Sequence, residues 1–486
     1  MTLDLPGIGA LIALAAAYAL LCPPRLRAWL LYAASLALMF VFQPLLPIRF
    51  SDFALPAAAL ALTVAAWWFT RPPDAPHAHR RENLIALIVA LAVLFGMAAN
   101  RYLPLEARIT PSRPPDALHV AFMLALGALA ALGITPLLRR APRRTLTGLI
   151  ALIVALFAVI KTPPLAETIA GAWRAGTGQD VALASLIDLN WLGFSYIAFR
   201  LIHTLRDRQT GLLPALTLRE YVTYVVFFPA YIAGPIDRAE RFAADLRALP
   251  GLRGLDAARW QTGLTRIAMG LFKKFVIADT LAQGMALDSR LAGLSDSPLH
   301  TWALAYGYAL RLFFDFSGYS DIAIGLGLLF GIRLPENFDR PYLKTNLTAF
   351  WQSWHMTLSG WARFYIFTPL SRALLIREPK PSNTVIVLSA HLTTMIVIGL
   401  WHGVTWNFLI WGVWHALGLF VHKQWSDRTR KWFRALKDRP ARKRAWTIFA
   451  WALTFHYVLL GWVWFALPDV PAALRTFGLM FGVVPS

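Results

Sequence analysis

The chain has 486 residues, 57% of them apolar and only 15% charged, and its net charge is +21. Length alone would allow about three soluble domains, but a soluble chain this apolar could not cover its own surface. Apolar runs with few charges recur from end to end, which marks one helical membrane domain. The basic residues cluster between those runs, which points to loops beside anionic lipid rather than to nucleic acid.

In chain order, the candidate spans are 7–22, 29–46, 54–70, 84–99, 118–137, 145–161, 182–203, 219–236, 262–285, 301–331, 347–370, 384–401, 404–422, 444–466 and 472–484. Several are short for a bilayer, which needs about 20 residues per helix, and others carry Gly or Pro. The expected fold is therefore all-α. It is a polytopic integral membrane protein of roughly 11 transmembrane helices with further re-entrant or interfacial helices. The first run lacks a basic segment before it and reads as a retained helix rather than a cleaved signal. Its neighbour Cys22 is the single cysteine, so a disulfide framework and a multi-cysteine metal site are excluded.

Basic loops set the expected orientation. Arg25 and Arg27 follow the first span, Arg71, Arg80 and Arg81 the third, Arg139, Arg140, Arg143 and Arg144 the fifth, and Arg206, Arg208 and Arg219 the seventh. The even-numbered loops are poorer, except for Arg101, Arg108 and Arg113 in the fourth. This places the N-terminus outside the cytoplasm. The basic stretch 237–261 breaks the rule unless 219–236, interrupted by Pro229, Gly234 and Pro235, dips in and returns. The loop 423–444, with ten Lys and Arg from Lys423 to Arg444, is expected to be cytoplasmic.

Residues 1–180 are rich in Ala and Leu and read as lipid-facing scaffold. Of 20 tryptophans, 13 lie after residue 350, where His, Asn and Ser also enter the apolar runs. Chemistry is therefore sought from about 190 onward, since polar groups inside spans are costly and face a cavity or a partner.

Four segments stand out. Phe227 to Ile236 suggests a helix broken around a cavity, with a simple kink nearly as good a reading. In Arg311 to Asp321, Arg311 and Asp315 are four apart and can pair on one helical face, whereas Asp321 points elsewhere. Phe350-Trp351-Gln352-Ser353-Trp354-His355 is either a functional histidine or an interfacial aromatic belt with an incidental one. Leu400-Trp401-His402-Gly403, followed by Trp406, Asn407, Trp411 and His415, ends an apolar run on a histidine. It can accept a proton at neutral pH or simply bond between helices, and Gly403 allows close approach. No phosphate-binding or dinucleotide glycine fingerprint and no HExxH occurs. His402 and His415 are 13 apart, but no second pair of that spacing supports haem.

These segments, in this order, resemble the membrane-bound O-acyltransferase family, above all its bacterial branch of alginate O-acetyltransferases and teichoic acid D-alanyltransferases. The likeness runs from about 190 to 425. It rests on Trp191 to Tyr196, Phe228 to Pro235, Gly270 to Phe275 with Asp279, Asp315 to Asp321, Pro335 to Tyr342, Phe350 to His355 and Gly399 to Gly403. It departs where Gln352 and Ser353 precede the second Trp-His, where Phe364 stands in place of a common Asp, and through the first 180 residues. The resemblance implies an acyltransferase that moves an acyl group, expected to be acetyl, from a cytoplasmic thioester to a hydroxyl on an extracytoplasmic glycan or partner protein. It makes His402 the central catalytic residue and His355 the second.

The implied organisation is a scaffold over 1–180, a catalytic core over 181–425 and a basic loop with C-terminal helices over 426–486, around a central tunnel in the cell inner membrane. No cofactor and no metal is expected. The donor is acetyl-CoA or an acyl carrier protein, and the acceptor is a cell-envelope glycan reached directly or through an extracytoplasmic partner acyltransferase. The bilayer is the other partner, and nucleic acid is not one. Cys22 lies in the scaffold half, so direct transfer is expected rather than an acyl-enzyme. The competing reading is a transporter or flippase for a lipid-linked or glycan substrate, which would typically show internal repeats; none is evident.

Overall fold

The computed structural model describes residues 4–72, 77–252, 254–295 and 297–483. Among them the chain is helical throughout, and one antiparallel bridge, Phe338 to Trp354, is the only β pairing. Among the described residues, seven helices are long and apolar enough to cross a bilayer: Ser51–Thr70, His79–Tyr102, Ala117–Arg139, Pro142–Lys161, Pro298–Leu329, Asn383–His402 and Pro440–Ala466. Leu5–Leu21 is a shorter apolar helix. Among the described residues, the expected spans 182–203, 219–236 and 347–370 are broken or shortened.

Two compact units divide the chain, residues 1–267 with 323–334, and residues 268–322 with 335–486. In the first unit, Ala117–Arg139 buries only Val120 and exposes a row of large apolar side chains that includes Phe122, Leu126 and Leu129. In water that row would be a liability; against lipid it costs nothing. The expected span 182–203 becomes helical only from Phe194. The stretch before it is two short turns, Val181–Leu183 and Leu186–Leu189. Arg174 holds them by a paired contact to Asp188, at 2.6 and 2.8 Å.

The segment after residue 218 breaks as its prolines suggest. Helix Leu218–Val226 opens on a capping box of Thr217 and Glu220 and stops at Phe227, followed by a short turn Phe228–Ala230. The break is packed rather than cavity-lining, since Phe227 and Phe228 are each 1% exposed and Ala230 and Tyr231 fully buried. Carbonyls released from the helix must find donors within the protein. Arg200, itself buried, supplies them, donating to the Val225 and Ala230 oxygens at 2.8 Å each.

The first unit also gathers His203, Asp207 and Glu240, whose ligand-type atoms lie within 4.8 Å of one another. Arg238 donates to both carboxylates and offsets part of their charge.

In the second unit, the part of helix Pro298–Leu329 that runs to Ile322 packs against the segment that begins at Ala268. That segment, expected as one span, loosens into a π-helical stretch over Phe272–Ala278. A Cβ on Gly318 would lie 2.8 Å from the Gly270 carbonyl oxygen, so only glycine lets the backbones meet. Lys273 and Lys274 then reach Asp321 and Asp315 at 2.6 and 2.7 Å. Asp315 therefore pairs across to Lys274, not along its own helix to Arg311. Its neighbour brings an ammonium to it directly, whereas a pair along one helix must bend two side chains into line.

Arg200→Met should strand the two carbonyls of the Phe227 break. We expect a loss of about 2–4 kcal/mol, read as a lower melting temperature in detergent. An unchanged value would mean that other groups hold the break.

Candidate active site

The second unit carries both histidines expected from sequence. His402 is the last residue of helix Asn383–His402. The chain turns through Gly403 and re-enters a helix at Trp406–Arg428, capped by Thr405. The backbone at Gly403 is extended, with φ 178°, so any residue could adopt it. The glycine is needed for a different reason: a Cβ there would lie 2.9 Å from the Phe408 ring. Close packing of the two helices is set by Gly412, whose Cβ would meet the Met395 carbonyl at 2.7 Å.

Aromatic rings define the surroundings of His402. Trp401 and Phe465 meet it edge-on, with centroids at 4.4 and 4.6 Å, and Phe408 stacks at 5.8 Å. Trp411 closes the set at 5.6 Å. His402 as a residue is half-buried. Phe465 lies at the end of Pro440–Ala466, and buried Asn407 fixes that end by donating to the Leu467 carbonyl at 2.9 Å.

His355 is 3% exposed. The span expected over 347–370 breaks at it, into helices Leu347–Trp351 and Met356–Ala362. His355 sits between them with φ 43°, in the left-handed region that non-glycine residues rarely adopt. The conformation is held from outside. The Met356 N–H donates to the Asn337 carbonyl at 2.9 Å, the Thr357 hydroxyl to the Asn337 side-chain oxygen at 2.7 Å, and the Asp339 N–H to the Ser353 carbonyl at 3.0 Å. Asn337 also donates to Ser320 at 3.2 Å. The segment Pro335 to Tyr342 is thus a clamp on the His355 turn. Phe316 packs edge-on to the His355 ring at 4.6 Å, and Nε2 of that ring is buried without a hydrogen-bond partner. At the outer end of the clamp, Lys344 and Arg340 hold the Asp339 carboxyl below the usual carboxylate range by hydrogen bonds and charge.

Trp401 joins the two histidines. Its indole lies 4.4 Å from His402 and 5.9 Å from His355, centroid to centroid. His415 is not on the helix of His402 and belongs to the neighbouring one. It is fully buried among Trp351, Trp411, Tyr457 and Trp462, and neither ring nitrogen has a hydrogen-bond partner. Sequence reasoning missed Asn337 and Phe316 as supports. The signal available was the short motif around Asn337, which carries no chemistry of its own and becomes meaningful only beside the His355 turn.

A helical membrane chain with two aromatic-lined histidines at breaks in its helices defines a class, and comparison with known proteins supplies the family. The family model for MBOAT, the membrane-bound O-acyltransferase family, matches residues 46–460. A teichoic acid D-alanyltransferase of Streptococcus thermophilus is 32% identical over 288 residues, 57% of this chain and 68% of its own. A "Probable alginate O-acetylase AlgI" of Pseudomonas syringae pv. tomato is 34% identical over 60% of this chain and 51% of its own. A peptidoglycan O-acetyltransferase of Helicobacter pylori is 35% identical over 54% and 47%. The chain thus spans about half the length of the alginate and peptidoglycan relatives. The chain belongs to the membrane-bound O-acyltransferase family. It is a multi-pass membrane protein of the acyltransferase class, which favours transfer chemistry over the transporter alternative.

Asn337→Ala removes the side-chain bonds to Thr357 and Ser320. We expect a stability loss of about 1–3 kcal/mol and a fall in transfer larger than the stability loss explains, because the His355 turn loses its support. Wild-type rates at equal folded protein would show the clamp to be dispensable.

Proposed function

We propose that the protein transfers an acyl group, most simply acetyl, from a cytoplasmic thioester to a hydroxyl of an extracytoplasmic glycan or partner protein, with His402 as general base. The observation that carries this is the family membership together with a half-buried histidine at a helix end, packed against four aromatic rings. The names of the relatives support the choice of acceptor: teichoic acid, alginate and peptidoglycan are all hydroxyl-bearing polymers found outside the cytoplasm.

The chemistry follows from the weakness of the nucleophile. A hydroxyl must lose its proton as it attacks, so a ring nitrogen of His402 takes that proton while the oxygen bonds to the thioester carbonyl carbon. The tetrahedral intermediate collapses with cleavage of the C–S bond. The imidazolium returns the proton to the departing thiolate, and the products are an ester and a thiol. His355 orients His402 or donates to the developing oxyanion, a term often worth a hundredfold or more, on the order of 10²–10³. Its place beside His402, with the Trp401 indole packed against both rings, supports the orienting role.

The donor is acetyl-CoA or an acyl carrier protein, both acidic. The exposed basic stretch that includes helix Arg430–Ala435 supports their capture on the cytoplasmic side. The inner membrane, an N-terminus outside the cytoplasm and a passage leading to His402 from both faces belong to the same proposal. So does the core at 181–425.

His402→Ala should cut transfer of labelled acetyl from acetyl-CoA to a candidate envelope polysaccharide by about 10²–10⁴-fold, with insertion and melting temperature unchanged. Normal transfer by that variant would remove His402 from the mechanism. His355→Ala should cost at least about tenfold, and a silent result would reduce it to packing.

A further inference from the structure

The first unit holds a cavity of 920 Å³ that the acyl-transfer chemistry does not use. Its lining includes Arg71, Arg80, Arg139, Arg143, Arg208 and Trp68. The arginines come from three separate connections, those after the third, fifth and seventh spans expected from sequence. Among the described residues, no carboxylate lines the cavity and none of these five arginines has an acidic partner. Trp68 is the ring on which two of the charges rest: the Arg71 guanidinium lies 3.7 Å from its centroid and that of Arg139 4.7 Å. Burial, together with the nearby charges of Arg139 and Arg80, pushes the Arg71 guanidinium below its ordinary value. Five like charges around one space repel one another, and an anion placed among them removes that cost.

The location says which anion. Arg71 follows Ser51–Thr70 directly, Arg139 ends Ala117–Arg139, and Arg143 opens Pro142–Lys161; all three helices are bilayer-length and apolar. Two of them leave most of their surface uncovered, with only 6% and 17% of their apolar windows buried. The cavity therefore lies where lipid-facing helices give way to charge, which is the level of the headgroups, and tryptophan is the residue favoured there. A phosphate entering it would leave its acyl chains beside the exposed apolar row of Ala117–Arg139. A soluble phosphate compound would leave that row unused.

We propose that this cavity is a binding site for the phosphate headgroup of an anionic phospholipid. Basic pockets between membrane helices on the cytoplasmic side suit such headgroups on general electrostatic grounds. The site is independent of His402, so its test does not read transfer.

The test is native mass spectrometry of the purified full chain with phosphatidylglycerol or phosphatidylcholine of equal chain length. Phosphatidylglycerol, whose headgroup is a net anion, should be retained at least about tenfold more strongly than phosphatidylcholine, whose quaternary ammonium offsets its phosphate and would lie among the arginines. The double substitution R71Q/R139Q should remove that preference. In a second measurement that needs no variant, photoactivatable phosphatidylglycerol should crosslink the wild-type chain at the cavity. Equal retention of the two lipids, crosslinks confined to other surfaces, or an unchanged preference in a folded R71Q/R139Q protein would each overturn the proposal. Displacement of the lipid by coenzyme A or pyrophosphate at matched concentration would also overturn it, by assigning the arginines to a soluble phosphate.

Discussion

Backbone that leaves the helix inside an apolar slab has no water to satisfy it, and the breaks at Phe227 and His355 are both built around that constraint. At Phe227 the chain stops being helical where it is fully packed, and the guanidinium of Arg200 takes up the carbonyls of Val225 and Ala230. At His355 the donors and acceptors come from Asn337 and its neighbours. The two solutions differ in kind. The first uses a buried cation on an adjacent helix to cap a break that has no evident chemistry. The second uses a strand-like clamp to hold a histidine in a conformation it would not choose, which is how strain comes to be stored at sites with a task.

The same constraint explains which parts of the fold were readable from sequence. Spans such as Ala117–Arg139 and Asn383–His402 announce themselves because an uninterrupted apolar run at bilayer length has one stable arrangement. The break near Pro229 was readable because proline removes a donor and disfavours the helical backbone before it. The break at His355 was not. Nothing in Gln352-Ser353-Trp354-His355 resembles a helix stop, and the stretch reads as continuous until Asn337 arrives from an earlier segment. Pairing was misread for a similar reason. Arg311 and Asp315 have the spacing of an intrahelical pair, but the choice of Lys274 depends on a neighbouring helix brought close by Gly270 and Gly318.

The candidate histidines illustrate the division further. Local sequence could not separate His402 from a histidine that merely joins two helices, and the resemblance to a family supplied that distinction. What the coordinates add is the company each ring keeps. His415 would have been an equal candidate on residue type, yet it is enclosed by four aromatic rings and opens to nothing. His402 shares Trp411 with it but keeps part of its surface open. Burial and not chemistry separates the two, and burial is set by which helix each occupies.

The position of His402 at the final residue of a helix bears on the proposed role. A base that takes a proton becomes an imidazolium, and that charge must be tolerated where water is scarce. The C-terminal end of a helix carries about half a negative charge from its unsatisfied carbonyls, which favours a cation placed there. Trp401 and Phe465 meet the ring edge-on, so they fix its plane without offering a competing proton acceptor. The helix end thus offers that charge a favourable place for the duration of one transfer.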